Sequence, residues 1–226
     1  MVEESLSFTL RPAVTHDDLL KACAVRAEAY GNRDPAYRAA MAIPDGIDAS
    51  PWTTVFLCED KATQRPVGSM RIQAHARGHG ELELEKYVQL PERITSTSRA
   101  EITRLSAVLG ADPFVRLALW KVGYLACVEQ GIRWLVMGVR KPSLIQAYEK
   151  MGAKDVFGDG RSVPLAYAKN LPHRVFALDV EDCPRHWESQ DHPLLSFMTR
   201  TLHRDIVSKS LVDRNSSQQV GLHVLQ

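Results

Sequence analysis

An α+β fold with a central mixed, mainly antiparallel sheet flanked by helices is predicted from three features of the sequence. Strand-like runs, alternating or continuously apolar, recur along the chain. A stretch from Phe114 to Val128 repeats apolar residues at helical spacing. The elements also follow a definite order: strand, helix, helix, hairpin, strand, long helix, apolar strand, short helix closed by glycine, and two strands. With 226 residues, 45% hydrophobic and 24% charged, the chain suits one large core with an appendage. A domain of residues 1–182 is expected, followed by an extension of residues 183–226 that is partly helical and ends in a disordered tail.

Each element has a local reason. Phe8 to Arg11 opens a strand. Thr15 then caps a helix whose first turn is acidic and which runs to about Tyr30. A loop-rich stretch with a short helix near Ala36 to Met41 follows, and the turn residues from Pro44 to Asp48, with Pro51, make it a place for a lid. Thr53 to Glu59 and Pro66 to Ala74 form a hairpin across the polar turn from Asp60 to Arg65, and Gly78 to Gly80 marks a break. Ala100 to Val108 is the next strand. Asp112 and Pro113 start the helix in which Phe114, Leu117, Tyr124, Leu125 and Val128 repeat. Trp134 to Val139 is almost continuously apolar, as a strand covered on both faces requires. A helix from Pro142 to Met151 is stopped by Gly152, and Val156–Phe157 and Arg174 to Val180 are the last strands. Pro193 to Ile206 reads as a helix and Val207 to Gln226 as a polar tail.

Charge and cysteine usage narrow the partners. The 28 Lys and Arg against 27 Asp and Glu leave a formal charge of +1, so no global field favours nucleic acid or an anionic membrane. An anionic partner must be met by a local patch. Cys23, Cys58, Cys127 and Cys183 form no CxxC pair and lie near no metal-ligand His spacing, so buried thiols in a reducing compartment are expected and no metal site is. The acidic N-terminus lacks a basic segment followed by an apolar one, and no apolar run approaches the roughly 20 residues that span a bilayer. A cytoplasmic protein without a transmembrane segment is expected.

Several motifs resemble one family group. The element order resembles that of the bacterial-type GNAT acyltransferases, and Ala147 to Ala153 resembles the helix end that follows their fifth strand. Glu101-Ile-Thr-Arg104 resembles the Glu-x-x-Arg strand motif of the N-acyl amino acid synthases and the autoinducer-making acyl-homoserine-lactone synthases. Arg26 with Tyr30 resembles their N-terminal Arg and aromatic pair. Asp45 and Asp48, followed by Trp52, resemble their paired aspartates, and Gly68-Ser-Met-Arg71 resembles their Gly-Ser-x-Arg strand. The match runs in order over roughly residues 8 to 180.

The resemblance implies transfer of a long-chain acyl group from acyl carrier protein to the α-amine of an amino acid. It implies no tightly bound cofactor; the co-substrate is a 4'-phosphopantetheine thioester. An acyl-CoA donor is disfavoured because the junction from Val108 to Phe114 has one Gly and places Asp112 where a pyrophosphate would approach a helix N-terminus. Glu101 is the expected base for the attacking amine and Tyr148 the expected proton donor to the thiolate. Strand alternation sends Glu101 and Arg104 to opposite faces unless a bulge intervenes, and such a bulge belongs to the resemblance.

Other roles follow with their alternatives. Arg71 and Arg104 suit bidentate recognition of an amino-acid carboxylate, or else they hold Asp45, Asp48 or Glu101. Asp45 and Asp48 suit a substrate ammonium, or else an ordinary turn. A backbone amide near Leu105 to Ala107 is expected to meet the oxyanion, and Leu105, Trp134, Met137 and Phe157 to line an acyl tunnel. Arg116, Lys121, Arg140 and Lys141 are the expected basic patch for the acidic carrier. Three alternatives stand beside this function: an acyl-homoserine-lactone synthase using S-adenosylmethionine, an acetyl-CoA-dependent N-acetyltransferase, and a non-catalytic acyl-binding module.

Overall fold

The computed structural model describes residues 2–32, 34–76 and 79–208. In chain order the elements are β1 (Val2–Glu3), β2 (Phe8–Pro12), α1 (His16–Gly31), α2 (Ala36–Met41), β3 (Thr53–Asp60), β4 (Pro66–His75), α3 (Glu92–Thr95) and β5 (Arg99–Ala107). They continue with α4 (Phe114–Glu129), β6 (Trp134–Val139), α5 (Pro142–Lys150), β7 (Lys154–Asp155), β8 (Val163–Leu165), β9 (Leu171–Asp179), α6 (Cys183–Ser189) and β10 (Thr201–Leu202). The main sheet has the order β2-β3-β4-β5-β6-β9-β7, with β8 also on β9. It is mixed, as predicted: β5 and β6 run parallel, while β2–β3, β6–β9, β7–β9 and β8–β9 are antiparallel.

The residues group into two compact units, and the chain passes between them inside β4, after Ile72, and inside β5, after Thr103. One unit holds residues 73–103 and 131–202. Its core is made by Leu82, Leu84, Val88, Leu90 and Ile94 from the β4–β5 connection, packed with Val136, Leu165 and Val175. Trp134 and Phe157 cover this cluster from its margin. Trp187 of α6 is fully buried in the same unit and donates its indole N–H to the Met151 carbonyl at 2.9 Å.

The other unit holds residues 3–72, 104–130 and 203–208. The start of α1 is the capping box that its sequence predicts: the Asp18 amide donates to Thr15 Oγ1, and the Asp18 carboxylate accepts from the Thr15 and Val14 amides, each at 3.1 Å. Ala22 and Leu19 of this helix pack on Val55 and Leu57 of β3. Gly68 on β4 has a packing reason, since a Cβ there would come within 2.5 Å of Val115 on α4.

Three expectations need revision. The strand expected at Val156–Phe157 lies two residues earlier, as β7, because the Asp155 carboxylate accepts the Phe157 and Gly158 amides and turns the chain there. The helix expected from Pro193 to Ile206 is a π-helical turn, Ser196–Arg200, followed by β10. Residues 203–208 instead run beside β2: the Leu10 amide donates to the Asp205 carbonyl at 2.7 Å and the Val207 amide to the Leu10 carbonyl at 2.8 Å. Most of the expected tail, residues 209–226, and Gly78 of the expected break lie outside the described residues. The four cysteines are buried free thiols, and among the described residues no helix is long and apolar enough to cross a membrane.

A buried Lys–His contact lies beneath the 203–208 segment. Lys121 Nζ on α4 is 2.9 Å from His203 Nδ1, and His203 Nε2 faces the Glu4 carboxylate at 3.5 Å. An ammonium can only donate, so His203 accepts at Nδ1 as the neutral ring. Burial pushes the Lys121 pKa down to about 8. Between that value and the 10.5 of a free lysine the unfolded chain binds more protons than the native one, so the Lys121 contribution to stability rises with pH across this window. Urea denaturation from pH 7.5 to 10.5 should show the wild type gaining stability relative to Lys121→Met. Parallel pH profiles would contradict the buried-ammonium assignment.

Candidate functional site

Strand β5 carries the first of two clusters, each within its own unit. Arg99 and Glu101 are two residues apart and share a face of the strand, and both grip the segment before α3. Arg99 Nε and Nη2 donate to the two Glu85 carboxylate oxygens at 2.9 and 2.7 Å, and Nη2 also reaches the Gly80 carbonyl at 3.0 Å. Glu101, 1% exposed, accepts the Leu84 amide at Oε2 (2.9 Å) and the Tyr167 hydroxyl at Oε1 (3.1 Å). Glu101 is paired in register with Val136 of β6, and both Leu84 and Val136 belong to the apolar cluster of this unit. The result is a carboxylate shielded from water, with the Leu84 amide on one oxygen and the Tyr167 hydroxyl on the other.

Tyr167 is a contact that sequence reasoning missed. It lies on a one-turn 3₁₀ helix, Ala166–Ala168, where no periodicity marks a function. Tyr148, the expected proton donor, is the buried residue of α5.

At Arg104 the backbone takes φ = 56°, a left-handed value that costs a bulky residue on the order of 1–3 kcal/mol. Regular pleating stops there, as the expected bulge requires. Arg104 belongs to a second cluster, built in the other unit. Arg26 Nη1 of α1 donates to Asp48 Oδ2 at 2.8 Å. Arg71 Nη1 of β4 donates to both Asp45 oxygens at 2.7 and 2.9 Å and lies 3.4 Å from Asp48 Oδ1. Arg104 Nη2 is 3.7 Å from Asp45 Oδ2, an ion pair too long for a hydrogen bond.

The 42–52 loop is folded around these contacts. The Ile47 and Asp48 amides donate to Asp45 Oδ1 at 3.0 and 2.9 Å, and the Asp45 amide donates to Asp48 Oδ2 at 3.2 Å. The turn reading and the arginine-holding reading of these aspartates are therefore both realised. Three guanidinium groups against two carboxylates leave the cluster one positive charge. Burial works to raise the Asp45 pKa, but the charge and hydrogen bonds of Arg71, the Asp48 amide and the charge of Arg104 outweigh it and hold the group below the ordinary carboxylate value. Among the described residues, Arg26 Nε and Nη2 are buried without a hydrogen-bond partner. Tyr30 packs on Tyr37 of α2, ring centroids 6.0 Å apart.

The expected docking residues divide. Arg116, Arg140 and Lys141 are exposed. Lys121 is corrected: it is 3% exposed and faces His203, because α4 is apolar nearly all round and turns this position inward. At the start of α4 the Asp112 carboxylate accepts the Phe114 amide at 2.8 Å, so the helix N-terminus already carries its own anion.

The sheet order and flanking helices are those of the GNAT fold. Among solved structures the chain is similar to FeeM, an N-acyl amino acid synthase from uncultured soil microbes, with a TM-score of 0.61 and 16% identity over 84% of this chain and 98% of that one. It is also similar to BjaI, a CoA-dependent acyl-homoserine lactone synthase solved with SAM and isopentyl-CoA (TM-score 0.56, 14% identity, 93% and 99% of the two chains). A third is the ribosomal-protein-S5-alanine acetyltransferase of Vibrio fischeri (TM-score 0.53, 11% identity, 80% and 97%). No protein-family model and no curated protein matches the sequence.

The two aspartates should differ in what they hold up. The Asp48 side chain is 1% exposed and Asp45 is 40% exposed. Asp48→Ala strips a buried partner from Arg26 and should cost about 3–5 kcal/mol, lowering Tm by roughly 10 °C. Asp45→Ala should cost no more than about 1–2 kcal/mol. Thermal melts of both variants check this, and equal losses would contradict it.

Proposed function

We propose that this protein is an N-acyl amino acid synthase, moving a long-chain acyl group from the phosphopantetheine arm of acyl carrier protein to the α-amine of an amino acid. The observation that carries the reading is Glu101: a carboxylate kept from water, held by the Leu84 amide and the Tyr167 hydroxyl, on the strand that also supplies Arg104. A buried, positioned carboxylate is what an attacking amine needs to lose its proton.

In this reading the neutral amine attacks the thioester carbon, the C–N bond forms and the C–S bond breaks. The amine proton passes to Glu101, and the departing thiolate takes a proton from Tyr148. A backbone amide between Leu105 and Ala107, just past the left-handed residue, meets the oxyanion. Arg104 has the least engaged guanidinium of its cluster and is assigned to the acceptor carboxylate; Arg71, with Arg26, Asp45, Asp48 and Tyr30, shapes the region around it. The surplus positive charge of that cluster favours an anionic acceptor.

Support for a carrier-protein donor comes from Asp112, whose carboxylate occupies the place where a helix N-terminus would meet a pyrophosphate. Exposed Arg116, Arg140 and Lys141 suit an acidic carrier, and such a reaction belongs in the cytoplasm of a bacterium. A second reading, acyl-homoserine-lactone synthesis from S-adenosylmethionine, is favoured by the likeness to BjaI over nearly the whole of both chains.

Purified protein given long-chain acyl carrier protein, an amino-acid mixture and S-adenosylmethionine should yield an acyl amino acid by mass spectrometry. A homoserine lactone would establish the second reading, and turnover with acyl-CoA alone would overturn the donor assignment. Glu101→Gln should lower amide formation by about 10²-fold or more while leaving acyl-donor binding intact. Wild-type turnover in that variant would remove Glu101 from the mechanism.

A further inference from the structure

We propose that Tyr167 is a positioning residue for Glu101: its phenol aims the carboxylate and holds it as the anion that receives the amine proton. The role in catalysis rests on the synthase reading above, while the coupling between the two side chains does not. The phenol O–H donates to Glu101 Oε1 at 3.1 Å while the Leu84 amide takes Oε2 at 2.9 Å. Two donors on the two oxygens leave the carboxylate plane little freedom to rotate.

The segment bearing Tyr167 is constrained well beyond what a connecting turn needs. It closes the hairpin between β8 and β9, whose last register pair is Leu165 with Leu171. The Lys169 amide donates to the Ala166 carbonyl at 3.0 Å and the Asn170 amide to the Leu165 carbonyl at 2.9 Å. Lys169 and Asn170 both hold left-handed φ values, 58° and 56°. Strain of this kind, on the order of 1–3 kcal/mol per residue, persists where the surroundings over-determine it. The Tyr87 ring meets Tyr167 edge-on at 5.9 Å. Gly138 on β6 gives the turn room: a Cβ there would stand 2.9 Å from Leu165 and 3.4 Å from the Tyr167 hydroxyl.

A hydrogen bond donated to a carboxylate favours its ionised form and lowers its pKa. Other charged and titratable groups on the surrounding elements include Arg99 with its partner Glu85, the buried Glu83, Tyr87, His75, whose pKa is lowered by burial and by the charge of Arg99, and, on the Tyr167 hairpin itself, Lys169 and His173, whose pKa is lowered by burial. None of these is altered by removing the phenol oxygen, so a change in Glu101 titration after that removal reports on Tyr167.

The test is the titration of Glu101 itself, followed by NMR of protein labelled with 13C at the glutamate carboxyl and assigned by difference against Glu101→Gln. In Tyr167→Phe the Glu101 pKa should rise by roughly one unit. With 3-fluorotyrosine placed at position 167, which keeps the ring and makes the hydroxyl a stronger donor, it should fall. An unmoved titration in either variant overturns the proposal, and the fluorinated variant decides alone if Tyr167→Phe does not fold. With acyl transfer as a second readout, the acid limb of the kcat/KM profile should shift upward in Tyr167→Phe with the acyl-donor KM unchanged. A loss of rate equal at every pH would make Tyr167 a packing residue. Absence of acyl transfer in the wild type would remove the synthase reading, and the NMR titration would still decide the coupling.

Discussion

Strand β5 carries Arg99, Glu101 and Arg104 within six residues, and what each can do depends on where the pleat holds and where it fails. Up to Glu101 the two-residue alternation is kept, so Arg99 and Glu101 point together at the segment before α3 and bind it through Glu85, Gly80 and Leu84. At Arg104 the backbone turns to φ = 56°. That residue then leaves the regular face and approaches Asp45. A glycine would hold this conformation without strain. That an arginine holds it instead links the backbone break to a guanidinium, which is the combination the proposed acceptor recognition uses.

Charge is buried in both units, each time inside a set of opposed groups. In one, Arg99 and Glu85 make a two-point contact, and Glu101 accepts the Leu84 amide and the Tyr167 hydroxyl. In the other, Arg26, Arg71 and Arg104 surround Asp45 and Asp48. Buried ion pairs of this sort contribute little net stability, because desolvation offsets most of the attraction, but they penalise any arrangement that leaves a member alone. They therefore fix geometry more than they add free energy. The orphaned Nε and Nη2 of Arg26 show that the second cluster is not fully satisfied by its own residues.

Much of this was legible in the sequence. Thr15, Pro113 and Gly152 mark helix ends by ordinary capping chemistry, and the apolar run from Trp134 reads as a covered strand, so the element order followed from local signals. Arg26, Asp45, Asp48, Arg71 and Arg104 were legible through motif resemblance, and these five members of the cluster come from four separate stretches of the chain. Tyr167 was not, because a tyrosine on a single 3₁₀ turn has no spacing that announces a partner 66 residues away. Lys121 misled for a different reason. A cation is expected on a helix surface, yet Leu119, Trp120 and Val122 around it already described a turn that is apolar on both sides of Lys121. The segment after Cys183 lost its pattern because short elements there are held by tertiary contacts such as Trp187 to Met151 rather than by periodicity.

Catalysis in the proposed reaction turns on Glu101 being the group that meets the amine. Its most direct test is a crystal structure of the protein with a long-chain N-acyl amino acid bound. The amide nitrogen should lie about 3 Å from a Glu101 carboxylate oxygen, with the Leu84 and Tyr167 donors still in place. A ligand whose amide sits away from Glu101, with that carboxylate unchanged in its contacts, would contradict the account.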